Sequence, residues 1–432
     1  QRLKPQYLTF KKYYRKVMNA TWFGRKIYRV THRLKKAVKE SLLPSSLFEN
    51  MGFTYLGPVN GHDLRELTEI LRYARDLKEP VLLHVRTIKG KDFTPAEENP
   101  DAYHGVSPFD PETGEPLKQG RASFSSVFGR EVARLAREDP RVCAVTAAMQ
   151  TGTGLDYFAL QFPDRFFDVG IAEGCAVSMA AGMAKQGAVP VVAVYSTFLQ
   201  RAYDMLLHDV ALDRLHVVLA VDRAGLVGED GETHQGVFDV SYLNSVPGMR
   251  VYAPANFAEL KAMLEEAVLR WDGPAAVRYP RGGEGEYRED SGRAPAAVLR
   301  RGSHITLVSY GVEINDVLQA AQLLEERGVE AEVVKLNIIT PLDAAPVLDS
   351  VRRTGALLVA EDSVSAGSVG ERLACALEQA GISARVALCS SGDTFTPHGS
   401  VGELKRLLEL DGAGLAQRAM EVLRFDKTAA GC

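Results

Sequence analysis

The 432-residue chain has few cysteines and no long apolar run, and each absence excludes a class of protein. Its five cysteines show neither a CxxC pair nor the spacing of metal ligands, which favours reduced thiols in a cytoplasmic protein over a disulfide framework. No apolar stretch approaches the ~18 residues that cross a bilayer, and no signal peptide is visible, so we expect no membrane partner. A net charge of −4 argues against a general nucleic-acid binder.

The beginning of the chain is unusual in its charge. The first residue is Gln1 rather than Met, which suggests that an N-terminal segment is missing. Residues 1–39 contain thirteen Lys and Arg, no acidic residue and several aromatics. This composition fits an arm that binds nucleic acid or an anionic membrane, or a basic helical linker beside an absent acidic domain. Because the rest of the chain is mildly acidic, we favour the linker.

From residue 123 onward, continuous apolar segments alternate with amphipathic ones, which predicts an α/β fold. Such segments are typical of a parallel sheet covered by helices on both faces. Polar, Pro- and Gly-rich stretches at 107–121 and 284–300 are typical of linkers. We therefore predict three domains, 1–118, 119–290 and 291–432, the last being a smaller α/β domain. The predicted strands of the middle domain cover 142–146, 166–171, 189–195, 217–221, 250–253 and 275–279, and a single helix is predicted from about 200 to 212.

Chemically active side chains follow the predicted strands of the middle domain. Ligands on parallel sheets bind at the carboxyl ends of the strands, and Glu173, Tyr195, Arg223 and Arg281 fall at such ends. A buried carboxylate at Glu173 is costly unless it is hydrogen-bonded, and the alternative is a carboxylate stabilised by a helix N-terminus. The two arginines suit a phosphate monoester, with surface salt bridges as the alternative.

Three loops at strand ends complete the candidate regions. The Gly-rich loop, residues 222–236, contains Asp230 and His234, and its glycines permit close approach of the backbone to a ligand. It lacks the GxGxxG spacing of a dinucleotide site. The loops 363–370 and 396–399 of the last domain we interpret as structural or subunit-contact loops.

Several motifs closely resemble those of the 1-deoxy-D-xylulose-5-phosphate synthases, a family of transketolase-like thiamine-diphosphate enzymes. They are DVGIAE, YSTFLQRAYD, HDVA, DRAGLVGEDGETHQG and RYPRG, with LGPVNGHD, KGKDFTPAE and YHGV resembling the end of that family's first domain. The resemblance covers essentially the whole chain. Transketolases and 2-oxo-acid dehydrogenase subunits share the architecture and the glutamate, but not YSTFLQRAYD together with the Gly-rich motif.

The resemblance implies a fold and an activity. The fold would be thiamine-diphosphate-binding, transketolase-like parallel-sheet domains plus a smaller C-terminal α/β domain, in a homodimer. The reaction would condense pyruvate with D-glyceraldehyde 3-phosphate to 1-deoxy-D-xylulose 5-phosphate and carbon dioxide, feeding isoprenoid, thiamine and pyridoxal biosynthesis. The implied cofactors are thiamine diphosphate and Mg²⁺.

The resemblance also implies a role for each candidate residue. Glu173 would hydrogen-bond to the aminopyrimidine ring of thiamine and favour the tautomer that deprotonates the thiazolium carbon. The catalytic residues would be Glu173, His104 and His234. The other cofactor contacts would be Phe93, Phe198, Arg201 and Lys89. The substrate contacts would be Tyr195, Arg223, Asp230, His234 and Arg281.

Two departures from the family pattern qualify these expectations. Gly174 and Cys175 stand where the family commonly has Gln-His, which removes an imidazole but keeps the carboxylate. The chain also contains no Gly-Asp-Gly triplet followed by an asparagine pair, the motif that would hold Mg²⁺ and the cofactor diphosphate. We therefore expect no metal ligand in this chain, metal ligands in a missing N-terminal part, and little or no activity of the chain alone. The alternatives are a split transketolase-type subunit whose partner supplies the diphosphate site, or a non-catalytic homologue.

Overall fold

The computed structural model describes residues 47–100, 103–106, 108–115, 117, 122–291 and 294–424, together with residues 13, 14, 17, 18 and 20. The chain divides into two compact units, Gln1–Gly120 and Arg121–Cys432. Most of the basic segment 1–39 lies outside the described residues, so its interpretation as a linker stays a prediction.

The first unit contains a small parallel sheet. Strand β1 (Thr54–Asn60) pairs with β2 (Val81–Arg86), and helix Leu64–Asp76 connects them. Asp63 caps this helix, because its Oδ1 accepts the backbone N–H groups of Arg65 and Glu66. The sequence did not predict β1, in which a glycine and a proline interrupt the apolar pattern. Two short helices complete the unit: Leu47–Asn50 and Thr94–Glu98.

The second unit is built on a seven-stranded sheet. Its strands are β3 (Val142–Thr146), β4 (Phe166–Asp168), β5 (Val189–Tyr195), β6 (Val218–Asp222), β7 (Arg250–Tyr252), β8 (Ala275–Arg278) and β12 (Ile338–Thr340). Their order is β12-β7-β8-β6-β5-β3-β4. All neighbours are parallel except β12, which runs antiparallel to β7. The carboxyl ends of β3, β4, β5, β6 and β8 therefore form one edge.

Helices cover both faces of this sheet. Because side chains alternate along a strand, Val191 and Val192 of β5 enter two different apolar cores. Val177 packs in the first core, and Val132 in the second. The helices are Phe124–Glu138, Asp156–Gln161, Glu173–Lys185, Ser196–Leu199, Tyr203–Met205, the π-helix Leu206–Ala211, Asp239–Asn244 and Phe257–Leu269. Single 3₁₀ turns lie at Pro163–Arg165, Gln200–Ala202, Gly228–Asp230 and Glu232–His234.

A second sheet of five strands follows in the same unit. Its strands are β9 (Ala296–Arg300), β10 (Ile305–Tyr310), β11 (Ala331–Leu336), β13 (Ala356–Ala360) and β14 (Arg385–Cys389). They lie in the order β14-β13-β10-β11-β9, with β9 antiparallel and the others parallel. Its helices are Ile314–Glu325, Ala345–Thr354, Val369–Gln379, Val401–Leu407 and Gly412–Arg424, with a 3₁₀ turn at Gly311–Glu313. The predicted α/β fold class is confirmed.

Three details of the predicted fold are wrong. The linker predicted at 284–300 contains the edge strand β9. The strand predicted to be fully buried at 166–171 is the short edge strand β4, because among the described strands it pairs with β3 alone. The single helix predicted from about 200 to 212 begins at Ser196 and changes between 3₁₀, α and π turns. Periodicity alone does not distinguish these helix types.

None of the helices in the described part of the chain is both long and apolar enough to cross a membrane.

Candidate active site

The turn after β4 determines where Glu173 lies. Asp168 fixes this turn, because its Oδ1 accepts the N–H of Ala148 at 2.8 Å and the N–H of Gly170 at 2.9 Å. Gly170 has φ +72°, a conformation that glycine adopts without strain. Glu173 is then the first residue of helix Glu173–Lys185, at the carboxyl edge of the sheet, and is only 4% exposed.

The buried carboxylate of Glu173 has one charged partner. Arg201 Nη1 donates to Glu173 Oε1 at 2.8 Å, and the arginine side chain is 59% exposed. Among the described residues no other side chain or backbone N–H donates to Glu173. The pair therefore leaves Oε2 available to a further donor, while the guanidinium offsets the cost of burying the charge.

An aromatic group joins Glu173 to the Gly-rich loop. The Phe198 ring lies 5.1 Å from the Arg201 guanidinium carbon, measured to the ring centroid. Tyr195 stacks on Phe198 at 5.8 Å, and the ring of His234 meets Phe198 edge-on at 5.3 Å. The segment that begins at the end of β5 thus brings five of the predicted site residues together.

Tyr195 is enclosed from two sides. A Cβ atom at Gly152 would lie 1.7 Å from the Tyr195 hydroxyl oxygen, so only glycine permits this approach. The guanidinium of Arg223 covers the tyrosine ring at 3.8 Å from its centroid, a cation–π contact. Burial raises the pKa of Tyr195, with the charge of Arg223 opposing it, so the hydroxyl stays protonated at neutral pH.

Arg223 is held in an unusual backbone conformation. Its φ is +59°, which is uncommon for a residue other than glycine and is often found at functional sites. Its Nη1 donates to the carbonyl oxygen of Gly152 at 2.8 Å and to Asp222 Oδ1 at 2.9 Å. Asp222 is fully buried, and burial raises its pKa to about 6 against the opposing charge of Arg223. The sequence also places Asp222 at a predicted strand end beside Arg223, but it predicted no role for this residue.

Asp230 connects the two predicted phosphate-binding arginines. Arg281 Nη1 lies 3.2 Å from Asp230 Oδ1, and Arg223 Nε lies 3.7 Å from Asp230 Oδ2. Arg281 also lies 3.9 Å from Glu229. The two arginines therefore lie in one cluster, as expected, and both are ion-paired within it. A phosphate would share these guanidinium groups with Asp230, and its binding stays a prediction.

Three predicted site residues lie in the first unit. Lys89 Nζ lies 2.8 Å from His104 Nδ1, so these two belong to one local group. Phe93 packs against Tyr103 and Phe109, with ring centroids 5.6 Å away in both cases. The predicted roles of Lys89, Phe93 and His104 toward cofactor and substrate stay predictions.

The loops of the last part of the chain lie closer to the site than the sequence indicated. Gln235 Nε2 donates to the carbonyl oxygen of Pro397 at 3.2 Å. Val364 N donates to the carbonyl oxygen of Val237 at 2.9 Å. Of the two loops that we interpreted as structural or subunit-contact loops, 396–399 contacts the Gly-rich loop directly, and 363–370 contacts Val237 immediately after it. The sequence did not predict this contact, because it joins segments about 160 residues apart. The one local indication was a glutamine, Gln235, next to His234 in the loop.

Among the described residues, no group of three or more His, Cys, Asp or Glu is arranged to hold a metal ion.

Three protein families match successive parts of the chain. The family described as 1-deoxy-D-xylulose-5-phosphate synthase matches residues 1–87. Transketolase, pyrimidine binding domain, matches 121–284, and transketolase, C-terminal domain, matches 294–415.

Curated relatives share much of the sequence. The 1-deoxy-D-xylulose-5-phosphate synthase of Desulforudis audaxviator is 49% identical over 374 residues, which are 85% of this chain and 59% of that protein. The enzyme of the same name from Heliobacterium modesticaldum is 44% identical over 94% of this chain and 64% of that protein. The chain thus spans about three fifths of the length of these relatives.

Solved transketolase structures share the fold. A split-gene transketolase, described as an inactive beta4 tetramer, has a TM-score of 0.62 at 27% identity, covering 70% of this chain and 99% of that one. A transketolase mutant from Pichia stipitis has a TM-score of 0.58 at 17% identity, covering 72% of this chain and 47% of that one. At 17% identity the second likeness concerns the fold alone.

Proposed function

Because the chain belongs to the 1-deoxy-D-xylulose-5-phosphate synthase family, we propose that the natural protein containing it condenses pyruvate with D-glyceraldehyde 3-phosphate. The products would be 1-deoxy-D-xylulose 5-phosphate and carbon dioxide. The observation that carries this proposal is the continuous group from the Glu173–Arg201 pair to the Arg223–Asp230–Arg281 cluster. It combines a buried carboxylate with two guanidinium groups on one edge of a parallel sheet, where ligands bind.

The described residues fit the aminopyrimidine end of thiamine diphosphate. The largely buried carboxylate of Glu173 keeps one oxygen, Oε2, to which no described residue donates, and Phe198 offers an aromatic surface near it. When bound, thiamine diphosphate supplies a thiazolium carbon and an electron sink for the loss of carbon dioxide from a 2-oxo acid. Glu173 would accept a hydrogen bond from the ring and hold a proton at its free oxygen. Arg201 would keep the carboxyl group oriented through its hydrogen bond to Oε1.

The substrate phosphate would bind at the two arginines. Arg223 and Arg281 present guanidinium groups suited to a phosphate monoester, and Asp230 holds both before substrate arrives. Tyr195 would hold the aldehyde end, because its protonated hydroxyl can donate to a carbonyl oxygen. His234, beside Phe198, would serve as the nearby acid or base.

The remaining assignments extend this proposal. Lys89, Phe93 and His104 would complete the cofactor and substrate contacts, and Mg²⁺ with the diphosphate would bind outside the described residues. The domains would be 1–118, 119–290 and 291–432, in a cytoplasmic homodimer.

The test uses the full-length natural polypeptide with thiamine diphosphate and Mg²⁺. Carbon dioxide release from carboxyl-labelled pyruvate should depend on glyceraldehyde 3-phosphate, and Glu173→Gln should lower kcat by about 10²–10⁴-fold. Glu326→Gln, at an exposed glutamate remote from the sheet edge, is the matched control and should leave kcat unchanged. A protein that binds the cofactor but consumes no pyruvate contradicts the proposal. A Glu173→Gln variant within a few-fold of wild type contradicts the role of the carboxylate.

A second candidate is a transketolase-type subunit completed by a partner chain. The likeness to a split-gene transketolase, 99% of which is covered, supports it. Such a protein would transfer a two-carbon unit from a ketose phosphate and release no carbon dioxide. The match of residues 1–87 to the synthase family favours the first proposal, and donor specificity in the same assay separates the two.

A further inference from the structure

The Gly-rich loop, residues 222–236, is closed on itself at its base. Gly225 and Gly236 exchange two backbone hydrogen bonds of 2.8 Å, N–H to carbonyl oxygen in both directions. A Cβ atom on Gly236 would lie 2.0 Å from the carbonyl oxygen of Arg223, so the two ends of the loop are in direct contact. Asp230 and His234 lie between these ends, and their positions depend on how the loop is held.

Gln235 holds the loop from inside. It is 3% exposed, and both ends of its carboxamide are used. Its Oε1 accepts the N–H of Val227 at 2.9 Å, across the loop, and its Nε2 donates to the carbonyl oxygen of Pro397 at 3.2 Å. A buried amide with both halves paired is a strong constraint, because an unpaired half would cost a full desolvation penalty.

The segment 397–404, which begins with the Pro397 that accepts the hydrogen bond of Gln235, also packs against other residues of the loop. A Cβ atom on Gly228 would lie 2.9 Å from the carbonyl oxygen of Gly399, so these two backbones touch. Leu226 and Val237 form a small apolar cluster with Leu404, which follows the same segment. The loop thus contacts residues 397–404 at Leu226, Gly228 and Gln235.

On the other side of the loop, His234 is tied to the helix that carries Phe198. Thr197 Oγ1 donates to the carbonyl oxygen of Thr233 at 3.1 Å, and Thr233 Oγ1 lies 2.9 Å from His234 Nδ1. The side chain of the next residue, Gln235, bonds to Pro397 instead of to the Phe198 helix. The loop is therefore held between the sheet edge and the last part of the chain. Gln235 makes the buried hydrogen bond on the side that faces Pro397.

We propose that Gln235 is a positioning residue for the substrate phosphate, which it serves by fastening the loop that carries Asp230 and His234 to the carbonyl oxygen of Pro397. Gln235 touches neither of the two arginines, so it acts through the loop. The inference rests on the proposed function for the identity of the substrate. In this inference the last part of the chain positions the loop 222–236 through the carbonyl oxygen of Pro397.

The chemistry of the amide gives a sharp probe. Gln235→Glu keeps the shape and the acceptor for Val227 N, but places a carboxylate oxygen against the Pro397 carbonyl oxygen, two acceptors facing each other. Gln235→Leu removes both bonds at similar volume. Gln322→Glu, at an exposed helix position, is the matched control for the added charge.

The test measures the steady-state kinetics of the full-length protein and the hydrogen exchange of the peptide covering 226–236. We expect Gln235→Glu to raise KM for glyceraldehyde 3-phosphate about tenfold, because a displaced loop weakens binding of the substrate phosphate. KM for pyruvate should stay unchanged in this variant, and the Gln322→Glu control should keep the wild-type kcat. Exchange across 226–236 should rise in Gln235→Glu and further in Gln235→Leu, while melting temperatures stay within about 4 °C of wild type.

Two results overturn the inference. One is a Gln235→Glu variant with wild-type KM for glyceraldehyde 3-phosphate and unchanged exchange. The other is an equal loss toward both substrates with a lowered melting temperature, which would show a general structural role. Failure of the proposed function is recognised separately, because the wild-type protein would then show no pyruvate-dependent turnover while the exchange measurement still reports on Gln235.

Discussion

Asp222 is a buried acid whose ionisation should be visible in the pH dependence of stability. Its pKa is raised to about 6 by complete burial, against an ordinary value near 3.8, with Arg223 opposing the shift. Because the folded protein keeps this proton at a pH where the unfolded chain has lost it, the free energy of unfolding falls as the pH rises from 4 to 6. Above about pH 6 the loss is complete. About two pKa units correspond to about 3 kcal/mol.

Asp222→Asn removes this ionisation and tests the reasoning. The difference in unfolding free energy between variant and wild type should shift by about 3 kcal/mol in favour of the variant between pH 4 and pH 7. The attraction between Asp222 and Arg223 adds no separate contribution, because the net shift of the Asp222 pKa already includes it. Urea unfolding followed by fluorescence at four pH values measures the difference, in which all other titrating groups cancel. A flat difference refutes the raised pKa, and a shift toward the wild type shows that Arg223 outweighs burial.

Three further predictions concern packing, substrate and local stability. Gly152→Ala should displace Tyr195, since its new Cβ would fall 1.7 Å from the hydroxyl oxygen, and should lower kcat/KM about 10²-fold in a steady-state assay. Gly182→Ala, whose new Cβ would lie in open space, is the control, and equal activities of the two variants would contradict the prediction. Arg281→Met should raise KM for glyceraldehyde 3-phosphate about tenfold or more and leave KM for pyruvate unchanged, and a shift in both would argue against a phosphate contact. Asp63→Ala should cost about 1 kcal/mol in the first unit through the lost helix cap, visible as faster hydrogen exchange in helix Leu64–Asp76, and unchanged exchange would refute the cap's contribution.

The residues at the sheet edge could be predicted from the sequence, because each follows from the pattern of the few residues before it in the chain. A continuous apolar run marks a buried parallel strand, and the residue that ends the run lies at the edge where ligands bind. Tyr195 at the end of β5 and Asp222 at the end of β6 are register partners in the structure, as this reasoning requires. Glu173 was found by the same logic, although its strand proved to be an exposed edge.

The parts that could not be predicted depend on contacts between distant segments. Nothing local to Pro397 shows that its carbonyl oxygen meets Gln235, because any residue offers the same carbonyl group. Likewise, the pairing of Arg201 with Glu173 joins two helices whose relative rotation is set by packing. For Arg223 and Arg281 the sequence left a choice between a phosphate site and salt bridges. The structure shows their ion pairs with Asp230, and phosphate binding stays a prediction.

Strand β12 makes the two sheets of the second unit mutually dependent. It comes from the last part of the sequence, yet it completes the seven-stranded sheet by pairing with β7. A polypeptide ending near residue 290 would retain every strand-end residue of the candidate site but would expose the bare edge of β7, a template for pairing with other chains. We therefore expect such a truncated piece to aggregate, because it lacks the segment that covers the free edge of β7.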